Sequence, residues 1–236
     1  MASLARDRVD DAPANPHLSL PETVVGPFAG RHFLFLQGLP GPFFRRLGAA
    51  LRDAGAAVSR INFNGGDVLD WPGQGAINYR GTPADWPDWL ATCVADRGVT
   101  DIIVFGDLRP VHRAARALAD RRGLRFVTFE EGYLRPNHVT LERGGVNGHS
   151  SFPRTLHALR LIDARARDLA DEVPVANSFR RRASQSSLYY AATQGAAAFF
   201  PHYRTHRHAS PVREGAAWLR RYARRWRERR VSRAAV

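Results

Sequence analysis

At 236 residues, 44% of them hydrophobic, the chain is long enough for one large domain with a proper core, or for a domain and an appendage. Its formal net charge is +13, and all 35 basic residues are arginine. The single cysteine, Cys93, excludes an internal disulfide and a metal site built from cysteines.

No stretch approaches the roughly 18 apolar residues of a membrane-spanning helix. Met1 to Pro21 is charged and Pro/Ala-rich, without the apolar centre of a signal peptide. The expected location is therefore cytoplasmic, either free or peripheral to the inner membrane. The charge is unevenly spread. Residues 1–150 carry 17 arginines against 16 acidic residues, a net +1, and residues 151–236 carry 18 against 6, a net +12. The last third is the basic, partner-facing part.

Residues 1–30 read as a flexible leader. From His32 short apolar runs alternate with amphipathic helices. Phe33 to Leu36 is a strand ending at Gln37-Gly38, and a helix begins at Pro42, a good first-turn residue. Gly55 ends that helix. Val58 to Phe63 is a second strand, closed by Asn64-Gly65-Gly66-Asp67. A turn-rich stretch to Pro83 leads into a helix over about Trp86 to Arg97, where Cys93 shares a face with Trp86, Leu90 and Val94 and reads as a buried thiol. Ile102 to Phe105 is a third strand, ending at Gly106-Asp107, and Pro110 to Arg122 is a helix. Phe126 to Phe129 is the fourth strand. A long irregular connection follows it, with Glu130, Glu131, Arg135, His138, Glu142, Asn147 and His149.

Strands alternating with helices imply a parallel sheet covered on both faces, in a Rossmann-like α/β domain over 31–150. Ligands bind such sheets beyond the carboxyl ends of the strands. Here each of those ends carries glycine and polar groups: Gln37-Gly38, Asn64 to Asp67, Gly106-Asp107 and Glu130 to Gly132. Each cluster taken singly is ordinary turn chemistry. Four on one edge favour a site.

Beyond Ser151 the chain reads as a helical, Arg-rich extension over 151–236. Leu156, Leu159, Ile162, Ala166 and Leu169 keep helical spacing, and Asn177 to Phe200 is helical in part. The segment Arg213 to Arg233 puts Trp218, Leu219, Tyr222 and Trp226 on one stripe, with seven arginines between positions 220 and 230. Such a helix suits an anionic membrane surface or a docking partner.

Glu130 and Glu131 are adjacent, so on an extended chain they face opposite ways and at most one meets a given substrate. A strand-end carboxylate near Arg135 is suited to act as base, nucleophile or stabiliser of a cationic transition state. Asp67 and Asp107 offer second carboxylates or acceptors for sugar hydroxyls. Asp107 with Arg109 and His112 forms either an anion- or hydroxyl-binding cluster or the cap of the following helix. Asn64 to Asp67 either brings backbone N–H groups to a ligand or makes a tight turn. His138 and His149 lack metal-ligand spacing, and a zinc site at His202, His206 and His208 is disfavoured. No Gly-x-Ser-x-Gly elbow or phosphate-binding glycine fingerprint is present.

Several motifs carry a family resemblance. They are Phe-Leu-Gln-Gly at 35–38, Arg-Ile-Asn-Phe-Asn-Gly-Gly-Asp at 60–67, Tyr-Arg-Gly at 79–81 and Phe-Gly-Asp-Leu-Arg-Pro-Val-His at 105–112. Phe-Glu-Glu-Gly-Tyr-Leu-Arg-Pro-Asn-His-Val-Thr-Leu-Glu at 129–142 and Phe-Phe-Pro-His-Tyr-Arg at 199–204 complete the set. From about Arg31 to Arg230 the sequence resembles the capsular-polysaccharide biosynthesis and export proteins of Gram-negative bacteria, the β-Kdo transferases.

The resemblance implies a retaining glycosyltransferase of GT-B type that moves Kdo from CMP-Kdo to a phosphatidylglycerol-type lipid for the capsule linker. It makes Glu130 or Glu131 the catalytic carboxylate. Gln37, Gly38, Asn64, Gly66, Asp67, Asp107, Arg109, His112, Arg135, His138 and Asn147 become substrate contacts. It implies no cofactor beyond the donor CMP-Kdo, an anionic lipid acceptor, the capsule assembly and export machinery, and the inner-membrane surface as partners. Members of that family continue into a second Rossmann-like domain, so this sequence reads as the first half, weak or inactive alone. The competing expectation is a non-enzymatic basic adaptor on membrane or nucleic acid. Arginine clusters bind nucleic acid non-specifically, and no specific nucleic-acid motif is present.

Overall fold

Five strands and the helices between them build one mostly parallel sheet in the computed structural model, which describes residues 26–132, 138–157, 179–205 and 211–234. The strands are β1 (His32–Phe35), β2 (Ala57–Asn62), β3 (Ala76–Asn78), β4 (Asp101–Phe105) and β5 (Arg125–Glu131), with β6 (Val139–Arg143) as a sixth. Their order is β3-β2-β1-β4-β5-β6. The first five run parallel and β6 returns antiparallel to β5. The helices are α1 (Phe43–Asp53), α2 (Gly65–Asp70), α3 (Trp86–Asp96), α4 (Pro110–Arg122), α5 (Phe179–Gly195) and α6 (Pro211–Ala234).

The sheet is buried on both faces because its strands are apolar at successive positions. Leu34, Ile61, Ile102, Val104 and Phe126 point to one face, under α3 and α4 with Trp86, Leu90, Cys93 and Leu118. Phe33, Phe35, Val58, Ile103, Phe105 and Phe129 point to the other, under Phe44, Leu51 and Trp71. Cys93 is a buried free thiol, as its place in the helical pattern predicts. At the amino edge the buried Asp101 is clamped by Arg31 and Arg125, which ties the start of β4 to its neighbours and has no part in a site.

Four expectations are corrected. The stretch after β5 is not irregular throughout, since residues 139–143 pair back onto β5 as β6. The turn-rich stretch before Pro83 holds the short edge strand β3, and Asn64 to Asp67 opens a helix, with Asn64 as its cap accepting from the Asp67 N–H at 2.9 Å. The leader boundary also moves. The Phe28 N–H donates to the Ala54 carbonyl at 3.1 Å and Phe28 packs on the core, so residues 26–30 already belong to the domain.

The basic extension is likewise not a mere appendage. α5 lies directly on α2, and its close approach depends on two glycines. A Cβ at Gly65 would stand 2.2 Å from the Ala192 carbonyl oxygen, and one at Gly66 would stand 2.6 Å from the Tyr189 ring. Gly65→Ala is expected to cost about 1–3 kcal/mol by overpacking, read as a lowered urea midpoint with the slope retained. The predicted helix beginning at Arg154 falls mainly outside the described residues.

Candidate functional site

The strand order reverses between β1 and β4, so the crevice beyond their carboxyl ends is the place where a parallel sheet opens for a ligand. Gln37 and Gly38 leave β1 there, Gly106 and Asp107 leave β4, and Glu130 and Glu131 end β5 on the same edge. Arg109 spans the crevice. Its guanidinium donates to the Gly38 carbonyl from both terminal nitrogens, at 3.3 and 3.4 Å. Burial pushes this arginine below its usual range, against the raising influence of Tyr189 and Asp67.

The two glutamates separate as strand geometry requires. Glu130 stands on the α3/α4 face with Phe126, and Glu131 on the α1 face with Phe129. Gly106, paired laterally with the end of β5 through its N–H to the Phe129 carbonyl at 2.8 Å, has φ +68°. A Cβ built on it would lie 3.6 Å from Glu130 Oε2, so this carboxylate rests against bare backbone. Glu130 Oε1 accepts from the Glu131 N–H at 3.0 Å. Glu131 Oε1 instead accepts from Arg182 of α5 at 3.2 Å. One glutamate braces α5; the other faces the crevice side.

Asp107 does not cap α4, whose first turn has no side-chain cap. Its Oδ2 accepts from the Val146 N–H at 3.3 Å and lies 3.0 Å from His149 Nδ1, with Arg116 at 3.9 Å. It thereby fixes the loop that follows β6. His112 is fully buried, with Nδ1 2.6 Å from the Gly106 carbonyl, and holds the turn from β4 into α4. His138 closes the loop after β5 through its carbonyl, which accepts from the Gly132 N–H at 3.1 Å. Asn147 is exposed, with φ +53°, in a single 3-10 turn. Arg135, His206 and His208 lie outside the described residues.

Asp67 is the hub of a buried network. Its Oδ1 accepts from Arg60 and from the Tyr189 hydroxyl, both at 3.0 Å. Its Oδ2 accepts from the Phe63 N–H at 3.0 Å and from Gln37 at 3.3 Å. The Gln37 amide also reaches Tyr189 at 3.1 Å and Tyr203 at 3.3 Å. Asn64 donates to Tyr189 at 3.1 Å, and its Oδ1 accepts from Thr193 at 3.1 Å. Burial and then the Asp67 charge push the Tyr189 hydroxyl upward, so it stays a donor. Gln37, Asn64 and Asp67 are brought together as expected, but their polar atoms meet α5. The glycines at 65 and 66 admit a helix and not a ligand.

Asp70, at the end of α2, has its carboxyl pushed up to about 6 by burial, against a hydrogen bond from the Gly41 N–H. A folded value above the unfolded 3.8 means that the native state holds the proton more tightly. Stability contributed by this group therefore falls as pH rises from about 4 to about 6, and the cost is complete above that window. Asp70→Asn, which keeps the acceptor for Gly41, is expected to be more stable than wild type at pH 7 by about 1–2 kcal/mol, allowing for partial solvation. Urea midpoints from pH 4 to 7.5 check this, and the gap should close toward pH 4.

On the α3/α4 face, beside Gln37 and Arg109, opens a cavity of about 430 Å³. Phe63, Trp86, Val111 and Phe200 line it, with Arg80, Arg204 and His202 at its side. Trp86 and Tyr189 are not legible as parts of this edge because they sit in helical patterns, and Tyr203 because it lies in a His- and Arg-rich break after Pro201. The Phe-Phe-Pro-His-Tyr-Arg motif at 199–204 was the available signal. Among the described residues, no cluster of three or more His, Cys, Asp or Glu is placed to hold a metal ion. No described helix is long and apolar enough to cross a membrane. On α6, Trp218, Leu219, Tyr222 and Trp226 are exposed among arginines.

This architecture defines a Rossmann-like α/β protein whose polar residues gather at the carboxyl edge of a mostly parallel sheet. The chain belongs to the capsule polysaccharide biosynthesis protein family, whose sequence profile matches residues 100–235. It is 36% identical over 201 residues to the capsule polysaccharide export protein KpsS of Escherichia coli, covering 85% of this chain and 50% of that one. It is also 36% identical over 128 residues to the capsule polysaccharide modification protein LipB of Neisseria meningitidis serogroup A, covering 53% of this chain and 30% of the relative. The chain thus spans half the length of the first of these relatives, and less of the second.

Proposed function

We propose that this chain is the acceptor-side half of a retaining β-Kdo transferase of GT-B type, which moves Kdo from CMP-Kdo to a phosphatidylglycerol-type lipid during capsule assembly. The observation that carries the reading is the separation of the two glutamates. Glu131 is engaged by Arg182, whereas Glu130 lies against Gly106 beside the crevice. Glu130 is the nucleophile in this reading. Its carboxylate attacks the anomeric carbon as the bond to the CMP phosphate oxygen breaks and CMP departs. The acceptor hydroxyl then displaces the carboxylate, its proton passing to water, and two inversions give net retention.

Arg109, at the crevice, suits the carboxylate of the sugar acid or the phosphate of the acceptor. α6 rests on the inner-membrane surface, where anionic headgroups attract each arginine by about 1 kcal/mol and its tryptophans enter the interface. A transfer assay with CMP-Kdo and a lipid acceptor tests the reading, run on this chain and on a version extended to the full length of its relatives. Lipid-linked Kdo from the extended protein is expected. Failure of both, with CMP-Kdo binding absent, would remove the proposal. Retention on DNA but not on anionic vesicles at rising salt would favour a nucleic-acid adaptor.

A further inference from the structure

The 430 Å³ cavity is lined by two unlike kinds of group. Phe63, Trp86, Val111, Ala114 and Phe200 are hydrocarbon and aromatic. Arg80, Arg109, Arg204 and His202 are basic, and the Arg80 guanidinium lies 6.0 Å from the centre of the Phe200 ring, so the two kinds meet. No carboxylate lines the cavity among the described residues, and none of them is within ion-pair distance of those three arginines. Asp85, hydrogen-bonded to Thr82, acts on His202, and the buried Asp67 acts on Arg109 from a distance. Among the described residues, the hydrogen bonds of the Arg109 guanidinium are the long contacts to the Gly38 carbonyl. A half-buried guanidinium without an ion-pair partner carries a desolvation cost that a bound anion offsets.

The lining also says what the rest of the ligand resembles. A sugar or nucleoside brings hydroxyls that need acceptors once buried. Here the one side-chain amide, Gln37, is engaged by Asp67, Tyr189 and Tyr203. An acyl chain needs no such partners, and Trp86 and Phe200 supply apolar contact in a cavity of ligand size.

We propose that this cavity binds an anionic amphiphile, its phosphate on Arg80, Arg109 and Arg204 and its hydrocarbon against Trp86 and Phe200. The assignment rests on the lipid-acceptor reading and deepens it, because it places the acceptor's apolar end in the α3/α4 cavity rather than on α6. Arg80 and Arg204 are exposed, so neutralising them leaves the core intact.

The test uses the whole chain and a 1-acyl-lysophosphatidylglycerol bearing a diazirine on its acyl chain, kept below its micelle concentration. Adducts are expected on the segments 79–87 and 199–205, and binding is expected to weaken about tenfold or more in Arg80→Gln/Arg204→Gln. Monoacylglycerol, lacking phosphate, and glycerol 3-phosphate, lacking the chain, should each bind more weakly than the probe. The proposal is overturned if adducts are confined to 211–234, if the double variant binds as wild type does, or if glycerol 3-phosphate matches the probe. Displacement by cytidine monophosphate overturns it in favour of a nucleotide site. Labelling at the cavity without Kdo transfer would leave this assignment standing and remove the donor chemistry. Transfer to lipid with the cavity unlabelled would do the reverse.

Discussion

In a protein extended to the full length of its relatives, Glu130→Gln is expected to lower Kdo transfer roughly a thousandfold or more, as loss of a nucleophile does. Glu131→Gln should retain most of the rate. The two side chains have the same chemistry and adjacent positions, so the contrast tests placement alone. Glu131 spends a carboxylate oxygen on Arg182, and both partners are partly exposed. Losing that pair costs about 0–1 kcal/mol. Glu130 has Gly106 beside it, on the face where Arg109 and the α3/α4 cavity lie. Initial rates with CMP-Kdo decide the matter. A dead Glu131 variant beside an active Glu130 variant would transfer the role to the other glutamate, and full activity in both would remove it from this strand end.

The second large effect is on stability. Asp67→Asn should destabilise the domain by about 3–5 kcal/mol, because it leaves the Arg60 guanidinium as an unpaired charge in the interior. The side chains of Arg60 and Asp67 are 1% and 0% exposed, so water does not replace the lost partner. Among the described residues nothing accepts a hydrogen bond from Arg60 Nε, which leaves little slack. The double variant Arg60→Met/Asp67→Asn should recover at least half of the loss, since removing both charges is far cheaper than removing one. Urea unfolding of the single and double variants measures this. A cost below about 1 kcal/mol for the single variant would mean that the hub tolerates an open charge, against the general behaviour of buried pairs.

The parallel sheet and its shared polar edge were legible because apolar runs and glycines repeat in step from His32 to Gly132. What the edge groups do was less legible. Asn64-Gly65-Gly66-Asp67 spells a ligand cradle or a turn, and only the position of Tyr189 shows that a helix fills the space. β6 escapes notice because its apolar residues, Val139 and Leu141, lie on the exposed side of the alternation and Thr140 and Glu142 on the partly buried one, the reverse of the usual apolar-inward signature. Asp107 looked equally suited to cap a helix or hold a ligand. It does not cap the helix; it holds the loop partners Val146 and His149, which lie about forty positions away and which no local pattern announces.

The union of Asp67 with Tyr189 also sets a clock on biosynthesis. The two residues are 122 positions apart. At 5–20 residues per second, a ribosome takes roughly 6–24 s to deliver the tyrosine after the aspartate has emerged. Throughout that interval the nascent sheet has an open roof over its paired glycines, so completion of the domain waits on the arrival of a helix encoded more than a hundred codons downstream.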